Sequence, residues 1–188
     1  MNNTLQMLNK TIGRKSFLIG GQLLGAIRES KFLKNEHDID LGILVEDYKE
    51  VLSILKKDLF LGKISIRKVE KTNIIRCIKF KVGEILVDIF LFYLIGDNRF
   101  NITSCDSFAF HKYPKEIFEN LGEIEFFGKQ YKCPNPPEAF LQLEYGDDWL
   151  IPRGNWSCCY DPPCVVWDKE ELIKIIKELD ENSHDRRF

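Results

Sequence analysis

A chain of 188 residues with 44% hydrophobic residues and 14 Phe has ample material for one packed core, so a single domain over residues 1–188 is expected. Its formal net charge of −2 gives no global attraction to nucleic acid or an anionic membrane, and nucleic acid is not an expected partner. No stretch approaches the ~20 apolar residues of a membrane span. The opening Met1-Asn2-Asn3-Thr4 has no basic segment followed by an apolar run, so a cytoplasmic protein with reduced thiols is expected.

The elements follow in order. Residues 4–13 predict a short helix, and Ser16 to Ile19 a buried strand that ends at Gly20-Gly21. Gln22 to Glu29 predicts a helix with Leu23, Leu24 and Ile27 on one side. Ile39 to Val45 predicts a second strand, just after Asp38 and through Asp40. Asp47 is placed as a helix N-cap with Glu50 completing a capping box, and Tyr48, Val51, Leu52, Leu55 and Leu59 form the apolar stripe. Strands are predicted at 63–69, 74–82 and 85–94, the last two joined by a tight turn at Val82-Gly83-Glu84. A hairpin over 122–133 turns at Gly128-Lys129, and Pro136-Pro137 opens a helix from Glu138 to Tyr145. The segment at about 146–167 is irregular and rich in Cys and Pro. Asp168 and Glu171 cap a final helix, at about 168–181, with Leu172, Ile175, Ile176 and Leu179 as its stripe. This order gives a mixed α/β (α+β) sheet with helices packed against it.

Charge is uneven. Residues 56–81 hold seven Lys and two Arg against Asp58 and Glu70, which fits either a solvated basic face or a surface that attracts an anionic substrate. Six cysteines stand at 77, 105, 133, 158, 159 and 164; Cys158, Cys159 and Cys164 with Cys133 and His111 could form a zinc site, although no clean C-x₂-C pair is present. In an exported protein the same cysteines become disulfide candidates.

The chemistry-bearing residues are Asp38, Asp40 and Asp88. Residues two apart on a strand share a face, so Asp38 and Asp40 aim at one spot. Asp88 interrupts the apolar run Ile85 to Leu91, where a carboxylate is costly unless something offsets its charge. A hard divalent cation does so, since Mg²⁺ takes oxygen ligands from one or two carboxylates and from substrate phosphates. A Lys or Arg neighbour would also satisfy Asp88. Gly20 and Gly21 at a strand-to-helix junction allow close approach of a ligand to helix-initial amides, which suit phosphate.

These residues resemble a known family. Gly20-Gly21-Gln22-Leu23-Leu24-Gly25-Ala26-Ile27-Arg28, then His37-Asp38-Ile39-Asp40-Leu41-Gly42, then Val87-Asp88-Ile89-Phe90, and later Tyr145-Gly146-Asp147-Asp148-Trp149 with Pro152, resemble the LicD/fukutin family of the nucleotidyltransferase-fold superfamily. The resemblance runs from about 16 to 153. It implies a nucleotidyltransferase-like sheet and transfer of a phosphocholine- or polyol-phosphate-like group from a nucleotide-activated donor, CDP-linked, to a glycan or similar hydroxyl acceptor. It implies Asp38 and Asp40 as ligands of one or two Mg²⁺ ions (Mn²⁺ as a substitute), with Asp88 as a third ligand or the base. It also implies Gly20 and Gly21 as the donor-phosphate cradle, and Arg28 as a phosphate-charge partner that could equally be a surface helix residue. Where many relatives carry a run of acids before the Asp-x-Asp, this chain has Asn35, Glu36 and His37. Two alternatives remain open: transfer of a nucleoside monophosphate from an NTP, and a non-catalytic nucleotide- or glycan-binding module. Trp149 fits either core packing or, with Trp156 and Trp167, stacking on a base or sugar.

Overall fold

The computed structural model describes residues 1–34, 36–58 and 60–185. The stripe position Leu59 and the departure at Asn35 lie outside the described residues. No helix among the described residues is long and apolar enough to cross a membrane.

The chain begins with α1 (Asn2–Ile12), β1 (Ser16–Leu18), α2 (Gly20–Arg28), β2 (Asp38–Leu44) and α3 (Tyr48–Leu55). Strands β3 (Ser65–Lys68), β4 (Ile75–Val82), β5 (Ile85–Ile95), β6 (Asn98–Ser104) and β7 (Phe108–Pro114) follow. The remainder is α4 (Glu116–Glu119), β8 (Gly122–Phe126), β9 (Lys129–Cys133), α5 (Pro137–Tyr145) and α6 (Lys169–Asp185). Strands β1 to β7 make one mixed sheet in the order β1-β2-β5-β4-β3, with β6 on β5 and β7 on β6. Only β2 and β5 run parallel among the described strand pairs. The predicted turn at Gly83 joins β4 to β5 as an antiparallel pair, and β8–β9 is the predicted hairpin.

The two central strands sort their residues by face. Ile39, Leu41, Ile43, Val87, Ile89 and Leu91 alternate onto one side and are all buried. Their exclusion from water supplies the main driving force for closing this layer. The opposite side carries Asp38, Asp40, Asp88 and Phe90 at one end and Phe92 at the other. That far end is closed by rings: Phe92 lies 5.2 Å from Phe17, 5.0 Å from Phe118 and 5.6 Å from Tyr113, and Tyr113 stacks on Phe140 of α5 at 5.2 Å. The aromatic lid stops short of the aspartates, and the acidic end of the face stays open. A second cluster joins Phe100, Ile102 and Phe110 to Ile175 and Leu179 of α6, so the stripe predicted for this helix is its buried face. Its N-terminal cap is also as predicted, with Asp168 Oδ1 accepting from the Glu171 N–H at 2.8 Å.

Four expectations need correction. The capping box at Asp47 does not form: a short 3-10 turn, Val45–Asp47, precedes α3, and both Asp47 and Glu50 turn to the Lys15 ammonium, at 2.8 and 3.3 Å. An ammonium within reach outcompetes a neutral backbone donor for a carboxylate. Between 95 and 121 the sequence pattern predicts no element, yet β6, β7 and α4 lie there. Their polar positions hide the period: buried Arg99 donates to the Phe92 carbonyl at 3.0 Å and pairs with Glu46 at 3.1 Å, while Asn101 and His111 are buried too. Finally, the cysteines are not all free thiols. Cys105 and Cys159 form a disulfide across a separation of 54 residues, with Cα atoms 6.3 Å apart. Nor do the proposed zinc ligands gather. Cys158 joins the Cys105–Cys159 pair, His111 and Cys164 group with Glu144, and Cys133 belongs to neither group.

Candidate active site

The site starts where β1 gives way to α2. Ile19 is extended and serves as the N-cap of α2, and Gly20 has φ +54, a backbone conformation that disfavours any residue with a Cβ. Gly21 is needed for space. A Cβ there would lie 1.8 Å from Glu36 Oε2, so the bare backbone lets Glu36 fold over the helix start. The α2 amides at this terminus carry the partial positive charge that favours anions.

Gln22 fixes the next strand. Strand β1 covers β2 only from Leu41 to Ile43, which leaves the Asp38–Asp40 edge of β2 without a neighbour on that side. The fully buried Gln22 carboxamide fills the gap: its Nε2 donates to the Asp38 carbonyl at 2.9 Å, and its Oε1 accepts from the Asp40 N–H at 2.9 Å. A side-chain amide thus stands in for a peptide group of the missing strand. Sequence reasoning missed this role; the only signal was a polar residue at an inward position of an apolar helix.

The parallel register sets Asp40 directly beside Asp88 and Asp38 beside Leu86. All three predicted aspartates therefore share one face and line one cleft. Glu36 joins them: ligand oxygens of Glu36, Asp38 and Asp40 all lie within 4.8 Å of one another. Burial, then the neighbouring charges of Asp38, Asp88 and Glu36, hold the Asp40 carboxyl well above the ordinary carboxylate value, with Lys79 opposing. Burial followed by Asp38 likewise raises Glu36, and burial raises Asp88 against the pull of Lys79. Asp88 divides its oxygens. Its Oδ2 meets the Lys79 ammonium at 2.9 Å, as the cationic alternative anticipated, while its Oδ1 is buried with no hydrogen-bond partner among the described residues.

The cleft has a volume of about 710 Å³. That lies within the range of small-molecule sites. Gly20, Gly21 and Arg28 of α2 form one wall, Phe140, Glu144 and Tyr145 of α5 another. Arg28 is not a solvated surface residue: its side chain is 13% exposed, pairs with Glu29 at 3.0 Å and donates to the Trp149 carbonyl at 3.4 Å. Its Nε is buried without a hydrogen-bond partner among the described residues. The irregular segment after α5 supplies the rim through Trp149, Ile151, Pro152, Arg153 and Trp156. Trp156 packs on Tyr145 at 5.0 Å and lies under the Arg153 guanidinium at 5.7 Å. Trp149 also packs against the core, whereas Trp167 is absent from the cleft and stacks on Tyr160. Asp147 and Asp148 are held locally, by Gln142 and Arg153 respectively.

The donor set fits a hard cation. Three carboxylates crowd together, two of them with raised proton affinity, and a fourth presents an unpaired buried oxygen on the adjacent strand. Uncompensated buried carboxylates are costly, and an oxygen-seeking divalent ion is the counter-charge that this set accommodates.

Comparison with known proteins agrees with this arrangement. The family described as LicD/FKTN/FKRP, nucleotidyltransferase domain, matches residues 13–136, a span that includes Gly20, Gly21, Arg28, Asp38, Asp40 and Asp88. The human ribitol-5-phosphate transferase FKTN is 27% identical over 183 residues, which are 92% of this chain and 39% of that protein. The mouse ribitol 5-phosphate transferase FKRP is 26% identical over 146 residues, 71% of this chain and 28% of that protein. The chain thus spans well under half the length of the curated relatives it matches. Among solved structures, the solution structure of the antibiotic-resistance factor ANT(2'')-Ia superposes with a TM-score of 0.50 at 16% identity, covering 99% of this chain and 94% of that one; this likeness concerns the fold alone. Taken with the Asp-x-Asp strand beside the glycine turn, the match over most of the chain establishes that it belongs to the LicD/FKTN/FKRP family of nucleotidyltransferase domains.

Proposed function

We propose that this chain is a metal-dependent transferase that moves a phosphate-containing group, of the polyol-phosphate kind, from a nucleotide-activated donor to a hydroxyl of a glycan or similar acceptor. The observation that carries the reading is the convergence of Asp38, Asp40 and Asp88 on one face of the sheet, inside a cleft that opens onto Gly20 and Gly21. The names of the relatives, ribitol-phosphate transferases, support the class of group transferred.

In this reading Asp38 and Asp40, with Glu36 beside them, hold Mg²⁺ or Mn²⁺. The ion supplies charge neutralisation on the transferring phosphoryl oxygens, the main requirement of such a reaction. The α2 amides beyond Gly20 and Gly21 receive the donor phosphates. Arg28 balances the donor's negative charge. Asp88 keeps one oxygen on Lys79 and presents the unpaired Oδ1 to the acceptor, where its raised proton affinity suits removal of the hydroxyl proton. The Trp149–Trp156 rim keeps bulk water from the transfer.

The test is turnover of CDP-ribitol by the purified chain with a panel of glycan and polyol acceptors, with Mg²⁺ and with EDTA, in the wild type and in a D38N/D40N double variant. Expected are release of CMP, its loss with EDTA, and its loss in a variant that keeps the wild-type circular dichroism. Release of pyrophosphate from an NTP instead would make the chain a nucleotidyltransferase in the narrow sense. Nucleotide binding indifferent to Mg²⁺, with no turnover, would make it a binding module.

A further inference from the structure

We propose that His111, Glu144 and Cys164 form a second metal site, suited to Zn²⁺, that pins the rim of the cleft to the sheet. The site is separate from the carboxylates of β2 and β5 and does not depend on the transferase reading.

Three ligand atoms of different kinds meet at one point. His111 Nδ1 lies 3.2 Å from Glu144 Oε1 and 3.5 Å from Cys164 Sγ, and Cys164 Sγ lies 3.7 Å from Glu144 Oε1. Nitrogen, oxygen and sulfur ligands at about 2.0–2.3 Å around a tetrahedral ion stand roughly 3.3–3.6 Å from one another. The observed sides match that pattern, and a triangle of these sides has a point about 2 Å from every corner, a zinc–ligand bond length. An ion pair between His111 and Glu144 accounts for one side of the triangle, but not for the thiol that closes it. The Tyr113 hydroxyl also donates to Glu144 Oε1, so a fourth oxygen stands beside the three.

The donor set selects the ion. Imidazole with thiolate favours Zn²⁺, whereas Mg²⁺ prefers the all-oxygen cluster of Glu36, Asp38 and Asp40. His111, Glu144 and Cys164 are all buried, so bulk water does not compete for the ligands. The second ring nitrogen is held as well: His111 Nε2 lies 2.9 Å from the Thr103 hydroxyl oxygen. Ligating histidines almost always anchor that nitrogen by a hydrogen bond, which fixes the ring's orientation. Cys164 is a free, buried thiol. On binding it gives its proton to solvent and ligates as thiolate. Glu144 lines the cleft, which gives the ion its way in.

The ligands come from three parts of the fold. His111 is on β7, Glu144 is in the last turn of α5, and Cys164 belongs to the irregular segment that follows. The backbone already seats Cys164 between the other two: its N–H donates to the Leu143 carbonyl at 3.2 Å, and its carbonyl accepts from the Lys112 N–H at 2.8 Å. The stretch from Glu144 to Cys164 carries Trp149, Ile151 and Trp156 of the rim. An ion bound to both ends closes that stretch into a loop tied to β7 and holds the rim over the cleft. Of the five residues weighed as zinc ligands from the sequence, His111 and Cys164 take part, and Glu144 supplies the ligand that their spacing does not reveal.

The test uses Co²⁺ as a spectroscopic stand-in for Zn²⁺, titrated into the full chain after a chelator has removed bound metal. A saturable thiolate-to-cobalt charge-transfer band is expected, complete at one ion per chain. The band persists in C105S/C158S/C159S and in D38N/D40N, and disappears in C164S. T103V, which removes only the partner of His111 Nε2, weakens Co²⁺ binding by about 10–100-fold. The proposal is overturned if C105S/C158S/C159S shows no such band, or if a folded C164S keeps it. Should C164S fail to fold, unchanged Co²⁺ affinity in T103V overturns it instead. Failure of the transferase reading looks different, because it leaves the band untouched.

Discussion

Replacing Gln22 with leucine tests whether one side chain really stands in for a strand. The carboxamide is fully buried, donates to the Asp38 carbonyl and accepts from the Asp40 N–H, both at 2.9 Å. Leucine fills a similar volume, so the cavity contribution is small. What remains is one backbone carbonyl and one backbone N–H stranded beside the acids. Each such group costs about 1–3 kcal/mol. The pair therefore predicts a loss of about 2–6 kcal/mol. For a chain of this size that corresponds to a fall in Tm of about 4–24 °C. Urea unfolding followed by circular dichroism gives the free energy, and Mg²⁺-dependent turnover of the same variant gives the functional cost. Because the strand end that carries Asp38 and Asp40 is no longer clamped, activity falls at temperatures where the variant is still folded. A loss below about 1 kcal/mol with unimpaired turnover would refute the reasoning, because solvent would then replace the amide at no cost.

Other substitutions probe separate links. Gly21→Ala drives a methyl against Glu36 Oε2, the movable end of a side chain, so stability stays within about 1 kcal/mol while turnover falls because Glu36 is pushed from its place beside Asp38 and Asp40; a large destabilisation, or full activity, contradicts the close approach. In the metal-free protein the raised Asp40 carboxyl means the native state keeps that proton to higher pH than the unfolded chain. Its contribution to stability is full below the ordinary carboxylate value and is lost as pH rises through the raised one; Glu36 and Asp88 are raised in the same sense, so D40N should lessen the decline in a pH series of urea midpoints without removing it. Reduction of Cys105–Cys159, which closes a 54-residue separation, removes up to about 4 kcal/mol by loop entropy. A C105S/C159S variant unchanged in Tm would show that the tie contributes nothing to the fold.

Much of this site can be read in the chain because its signals are local. Gly20-Gly21 before a helix, Asp38 and Asp40 two apart, and Asp88 inside an apolar strand each follow from strand period and helix-terminus chemistry. The hairpin through Gly83 and the stripe of α6 were legible for the same reason. What the sequence hid depends on long-range partners. Glu36 reads as a loop acid until the Gly21 backbone lets it fold over the helix start. Asp47 reads as a cap until Lys15, 32 residues earlier, takes its carboxylate. Strands β6 and β7 escape notice because Arg99, Asn101 and His111 occupy buried positions and are satisfied by Glu46, Tyr113 and Glu144. The disulfide joins segments whose proximity only the folded sheet creates.

The central claim is that the aspartates of β2 hold a divalent ion in the cleft. Titration of Mn²⁺ into the full chain in the presence of CMP, followed by electron paramagnetic resonance of the free ion, measures this directly. The account predicts saturable binding by the wild type, lost in D38N/D40N although the variant remains folded. Equal Mn²⁺ affinity in the two proteins would contradict it.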